Sequence, residues 1–242
     1  VRRYGLIPGS ESVPDIAVPA RRPAPTGAAR RPCLTWAVAL TATMAAFGAL
    51  AQGTLLDQAL AIEADLQGYP ARAESELAAL MPRADAAPAA ERRIVYALYG
   101  QAMALRGKVA DAEDLAGRLD GGTPRTRDPA DRAAALVVRA AIESSFGEAS
   151  KSLAHAQLAR DLVAGSGDPH LHYWAAMALG IAARTRGRPE DAMANLHDAL
   201  SLAEAADNPF RRSSALYQLS VLQRELRNAP EALAASLAAY RF

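Results

Sequence analysis

The chain has 242 residues, a net charge of +1, and a hydrophobic fraction of 51 % of which little is aromatic. Abundant Ala with few aromatic residues favours closely packed helices over a sheet. Cys33 is the only cysteine, which excludes a disulfide framework or a cysteine-based zinc site within one chain.

The chain begins with a basic segment, residues 1–33, that is rich in Pro and Arg and shows no helical or strand periodicity. This composition predicts disorder. Residues 1–51 carry six Arg against Glu11 and Asp15, whereas acidic side chains exceed basic ones by three in the remainder. A mildly acidic remainder argues against nucleic acid as a partner.

An apolar segment follows at residues 34–51, after Arg30-Arg31-Pro32 and up to Ala49-Leu50-Ala51. A positive flank, a short apolar region and an exit of small residues are typical of a secretory signal peptide. The segment is short for a spanning helix, which needs about 20 apolar residues. We therefore expect a cleaved signal peptide or an uncleaved signal anchor, with a soluble amphipathic helix as the third alternative. Export would place the protein in the periplasm, or at the membrane facing the periplasm.

Residues 52–242 repeat with a period of about 40 residues. Five positions align across the repeats, namely Gly68, Gly107, Gly147, Gly187 and Arg227. They are separated by 39, 40, 40 and 40 residues. Small residues recur seven positions before and five positions after each of them. Helix-start signals recur at the same period, as Asp128-Pro129, Asp168-Pro169 and Asn208-Pro209. These recurring helix-start and turn residues predict repeated helix pairs that share a continuous core.

The pattern predicts five pairs of helices, in which small residues let the two helices of a pair approach closely. Their expected bounds are 55–67 and 70–81, 90–106 and 109–119, 130–146 and 149–164, 170–186 and 189–205, and 210–227 and 229–242. The last helix reaches the end of the chain without a polar terminal unit, so we expect the array to be truncated at its C-terminus.

The spacing resembles the tetratricopeptide repeat in its 40-residue variant. The fourth unit carries the match as Leu179-Gly180, Gly187, Ala192, Leu196, Ala199 and Pro209, and the second as Tyr96, Tyr99-Gly100, Gly107, Ala112 and Ala116. The resemblance is weaker in the first and third units. It implies an all-α fold, a right-handed superhelical solenoid of about five stacked antiparallel helix pairs.

No arrangement of residues typical of an enzyme or a metal site occurs in the sequence. His170 and His172 could form half of a metal site, but no third ligand stands at ligand spacing. Phosphate-binding loops, dinucleotide-binding glycines and nucleophile elbows are also absent. We therefore predict no catalytic residue, no cofactor and no metal within these residues.

The resemblance implies that the first helices line a concave face. Corresponding first-helix positions give three rows, which are Ala97, Val137, Met177 and Tyr217, then Gln101, Ala141, Ile181 and Val221, then Ala104, Ser144, Arg184 and Arg224. The expected groove-lining residues are Gln101, Met177, Ile181, Arg184, Tyr217, Val221 and Arg224. We expect a peptide to lie there with its carboxylates at Arg184 and Arg224. The alternative is that these side chains only pack against neighbouring units or face water.

The expected partner is accordingly a protein or peptide, with membrane attachment through residues 34–51 or through a helix beyond Phe242. The resemblance further implies the sensory input part of a bacterial membrane signalling protein, such as a diguanylate cyclase or histidine kinase. A stand-alone periplasmic scaffold is the alternative, as is an enzyme whose catalytic domain lies beyond Phe242. A cytoplasmic regulator is disfavoured by the apolar segment.

Overall fold

The computed structural model describes residues 53–121 and 128–240, all within one compact unit. These residues form ten α-helices and no strand. The predicted segments 1–33 and 34–51 lie outside the described residues. In chain order the helices are α1 (Leu55–Glu63), α2 (Pro70–Asp85), α3 (Ala89–Leu105), α4 (Val109–Leu119), α5 (Pro129–Ser145), α6 (Ala149–Val163), α7 (Pro169–Thr185), α8 (Pro189–Ala205), α9 (Pro209–Glu225) and α10 (Ala229–Ala239).

The helices stack in chain order as five pairs, which confirms the predicted all-α solenoid. Each helix packs on the next one along the chain. First helices also contact the first helix of the next pair, joining α1, α3, α5, α7 and α9 in a row. Successive second helices form no comparable contact within the described residues. The five first helices therefore make a closely packed inner layer, and the second helices make an outer one.

Three first helices begin as the sequence predicts. The side chains of Asp128, Asp168 and Asn208 accept hydrogen bonds from backbone amides in the first turns of α5, α7 and α9, and a proline follows each. Such caps satisfy amides that have no partner inside the helix. These polar residues place the start of each first helix at the same point of the repeat.

The turns within four of the five pairs share one backbone geometry, from which the first pair, with Gly68, departs. Gly107, Gly147 and Gly187 have φ between +74° and +79°, and Arg227 has φ +59° at the corresponding position. The amide of the residue after each donates to a carbonyl five residues earlier, for example Arg188 to Ala183 at 2.9 Å. This closure satisfies carbonyls at the end of the helix and favours glycine, because a side chain at positive φ meets the backbone. Arg227 adopts the same left-handed conformation although it carries a side chain.

Small residues on the first helices allow close approach, but toward different neighbours. A Cβ on Gly180 would lie 2.6 Å from the side chain of Leu196 on the paired helix α8. A Cβ on Gly100 would lie 2.8 Å from Val138, which belongs to the next first helix, α5. Gly180 therefore allows the two helices of its pair to approach closely, as predicted. Gly100 instead allows close contact between the first helices of successive pairs.

The helix bounds differ from the prediction mainly in the first pair. Helix α1 ends at Glu63 rather than residue 67, and residues 64–68 form a turn. Helix α2 continues past Pro82 to Asp85, and this extra turn buries Ala84 completely. Pro82 is unfavourable in the last turn because it removes a backbone hydrogen bond. The burial of Ala84 offsets part of that cost. Helix α10 ends at Ala239, with Tyr240 in a turn, short of the predicted end at 242, which itself lies outside the described residues.

Candidate functional site

A cavity of about 420 Å³ opens on the inner layer, where side chains of all five first helices converge. The turn after α1 covers one side of it. The lining residues are Glu63, Leu66 and Gln67 from α1 and that turn, Gln101 and Leu105 from α3, Val137, Ala140, Ala141, Ser144 and Ser145 from α5, Tyr173, Trp174, Met177, Ala178, Ile181 and Arg184 from α7, and Phe210, Ser214 and Gln218 from α9. We call this space the inner cavity.

Four of the seven sequence-predicted lining residues meet at the inner cavity. They are Gln101, Met177, Ile181 and Arg184. Three further members of the predicted rows also line it, namely Val137, Ala141 and Ser144. Ala97 and Ala104 are instead buried in the core. The predicted rows therefore describe the inner cavity where α5 and α7 form it, and on α3 they hold for Gln101 only.

The three predicted residues on α9 lie outside the inner cavity. Tyr217 is 52 % exposed, Val221 is half-buried and Arg224 is exposed. Helix α9 lines the cavity instead with Phe210, Ser214 and Gln218, a row displaced by one residue from Tyr217. One residue corresponds to about 100° around a helix, so α9 turns a different face toward the cavity from the one that strict periodicity predicts.

The inner cavity is closed on one side by a buried ion pair between the first and fifth helix pairs. Glu63 Oε2 lies 2.9 Å from Arg211 Nη2, and the two residues are 4 % and 2 % exposed. Trp174 Nε1 donates to Glu63 Oε1 at 2.7 Å, and Gln67 donates to Ser214 at 3.1 Å. We call these five residues the latch. Because it joins residues 148 positions apart, the inner face is a pocket with a closed side rather than an open groove.

Aromatic rings enclose the cation of the latch. The guanidinium carbon of Arg211 lies 4.7 Å from the ring centroid of Tyr173 and 5.6 Å from that of Trp174. The Tyr173 hydroxyl donates to the backbone carbonyl of Arg211 at 3.2 Å. Ring faces carry negative potential and stabilise a desolvated cation. Arg211 is thereby held by Glu63 and by two rings of α7.

The latch was missed by sequence reasoning, although a signal for it exists. Arg211 stands 40 residues after Leu171, a fully buried core position of the repeat. Glu63 lies on the same face of α1 as the buried residues Ala59 and Ile62. Charged residues are almost never fully buried unless they are paired. Two opposite charges at core positions of the repeat therefore indicate a buried pair.

Most polar groups in the cavity wall already have partners. Ser144 shares a hydrogen bond with Ser152 at 2.8 Å, Ser145 donates to the carbonyl of Ala141 at 2.9 Å, and Gln101 donates to a carbonyl of its own helix. Arg184 Nη1 lies 2.6 Å from Glu225 Oε1. The charges in the wall are thus paired.

One side-chain amide in the wall is left for a ligand. Gln218 lines the cavity and its amide makes no hydrogen bond to the described residues. Arg184 Nε also lacks an acceptor, but this atom is buried, so a ligand in the cavity does not reach it. A ligand that hydrogen-bonds to the Gln218 amide would replace the water that the amide loses on binding.

Two titratable groups beside the latch have shifted pKa values. Burial lowers the pKa of His170, and the neighbouring charge of Arg211 lowers it further. Burial also raises the pKa of Tyr173, with the Glu63 carboxylate adding to the effect. Each shift keeps the neutral form of its group in the folded protein.

Two of the other histidines, His155 and His172, are held by local partners. His155 Nδ1 lies 2.9 Å from Glu143 Oε2 on α5, a contact that the spacing within one helix did not reveal. His172 Nε2 lies 2.7 Å from the carbonyl oxygen of Ser166. Residues 53–121 and 128–240 contain no group of three or more His, Cys, Asp or Glu placed to hold a metal ion.

The chain matches no protein-family model, and no curated protein sequence matches it. Within the part of the chain that the structure describes, none of the helices combines the length and hydropathy needed to cross a bilayer.

Proposed function

We propose that this chain is a peptide-binding module of the tetratricopeptide type and that part of its partner occupies the inner cavity. The observation that carries the proposal is the convergence of corresponding positions of α3, α5 and α7 on one concave space. Largely apolar pockets with a few polar groups are the usual form of binding sites. The aligned spacing of Gly100, Gly107, Ala112 and Ala116 supports the family assignment.

The module is proposed to act outside the cytoplasm, as the sensory input part of a membrane-anchored signalling protein. Support comes from the signal-like sequence at residues 34–51, which lies outside the described residues. A stand-alone periplasmic scaffold is the second candidate, and the input array of a diguanylate cyclase with its catalytic domain beyond Phe242 is a third. An alkaline phosphatase fusion after Gln52 tests export directly, because the enzyme is active only after export.

Peptide binding is tested by selecting a displayed library of random 12-residue peptides on the purified protein. Ala141 and Ala178 line the inner cavity, whereas Ala154 is exposed on the second helix α6. Phenylalanine at either cavity position fills space that the ligand needs. Enriched peptides should therefore bind the wild type and A154F equally, and bind A141F and A178F at least tenfold more weakly.

Circular dichroism must show that all three variants keep their helices. Equal binding of the enriched peptides to A141F, A178F and A154F would refute the proposed site.

A further inference from the structure

We propose, building on the function proposed above, that the inner cavity selects an uncharged apolar peptide segment and rejects an acidic one. This replaces the sequence-based expectation that ligand carboxylates meet Arg184 and Arg224. The inference rests on the charges of the wall, on the unpartnered amide of Gln218 and on the closed side of the cavity.

Each charged side chain in or beside the wall is already paired with an oppositely charged one. Arg184 is paired with Glu225 at 2.6 Å, and Arg211 is paired with Glu63 at 2.9 Å. Arg224, the second expected cation, does not line the cavity. A ligand carboxylate would therefore lose its hydration without gaining an unpaired cation, and a ligand ammonium would find Glu63 already neutralised.

The unpartnered amide matches a peptide backbone. Gln218 lines the cavity and offers both a donor and an acceptor. A backbone carbonyl and amide supply complementary groups without carrying charge. The remainder of the wall is apolar, with Leu105, Met177 and Ile181 among its residues. It therefore favours aliphatic or aromatic side chains beside that backbone.

The latch limits how much of the ligand can enter. Gln67 reaches across to Ser214 and Glu63 to Arg211, so the chain itself closes one side of the space. The volume of about 420 Å³ lies at the low end for ligand pockets. A short apolar segment fits this volume, while the rest of the partner lies outside.

The composition of the selected peptides tests this inference. Peptides whose binding is lost in A141F should share a core without Asp, Glu, Lys or Arg. Replacing one apolar core residue of such a peptide with Asp should weaken binding at least tenfold, as measured by fluorescence anisotropy. Q218L should weaken binding of the unchanged peptide by roughly tenfold, because the amide pairs with the ligand backbone.

Glu225→Gln provides a gain-of-function variant, since it removes the partner of Arg184. The Asp-containing peptide should bind E225Q better than it binds the wild type, and the apolar peptide should bind both alike. Cavity-dependent peptides with acidic cores would overturn the inference and leave the proposed function intact. Absence of any cavity-dependent peptide would overturn both.

Discussion

Replacing Glu63 with alanine tests whether the latch is a structural element of the whole array. In the wild type the carboxylate accepts hydrogen bonds from Arg211 and from Trp174 Nε1. Arg211 is 2 % exposed in the intact protein, so its charge depends on the Glu63 carboxylate rather than on water. The substitution leaves one buried cation and one buried indole donor without their acceptor.

The expected cost follows from that burial. Removing one partner of a buried ion pair costs about 3–5 kcal/mol, because the remaining charge stays desolvated. Stacking on Tyr173 and Trp174 continues to stabilise Arg211, so the cost should not exceed this range. For a domain of this size, that corresponds to a fall in melting temperature of roughly 6–20 °C.

Urea and thermal unfolding followed by circular dichroism measure the loss in E63A. Glu113→Ala is the matched control, because Glu113 pairs with Arg139 at 2.8 Å but is 51 % exposed. Its loss should stay below about 1 kcal/mol. The double variant E63M/R211M should recover most of the stability, since apolar replacement of both partners leaves no buried charge.

Amide hydrogen exchange shows which helices lose stability in E63A. In an ideal solenoid a substitution affects neighbouring repeats only. E63A should instead lower amide protection both near α1 and in α9, which are far apart in sequence. Protection lost only around α1, together with equal stabilities of E63A and E113A, would refute the reasoning.

The remaining predictions concern glycine positions and one histidine. G180A should lose roughly 1–3 kcal/mol of unfolding free energy, because its new Cβ overpacks against Leu196. G117A, whose new Cβ has no atom within 4 Å, should gain up to about 1 kcal/mol. Urea unfolding compares the two variants, and equal effects would contradict the close approach of α7 and α8 at Gly180. G187A should lose roughly 1 kcal/mol and R227G should gain a similar amount, because both positions have positive φ. The lowered pKa of His170 means that its contribution is complete above pH 6.5 and lost as the pH falls, so H170F should show a flatter dependence of stability on pH below 6.5.

The repeat architecture could be predicted because local signals determine it. Asp168 and Pro169 begin a helix through their own backbone chemistry, and Gly187 ends it, whatever lies elsewhere in the chain. The same local signals, read at a period of about 40, gave helix bounds that mostly differ from the structure by one or two residues. The main departures are at the ends of α1 and α2, where Leu66 and Ala84 are buried.

The candidate site was predictable only in part. Periodicity correctly placed Gln101 of α3 and Ile181 of α7, which occupy corresponding positions of the repeat, in one cavity wall. It failed at α9, where Gln218 rather than Tyr217 lines the cavity, because the orientation of a helix depends on every contact around it.

The sequence by itself determined where most of the helices begin and end, and that they pair and stack, since these properties depend on neighbours within a few turns. Only the tertiary structure decided that Glu63 meets Arg211 and that the inner face is closed on one side. That contact spans 148 residues, and its existence depends on the accumulated curvature of four helix pairs. Small rotations between units add along the array, so the distance between its ends follows from the packing of all units together.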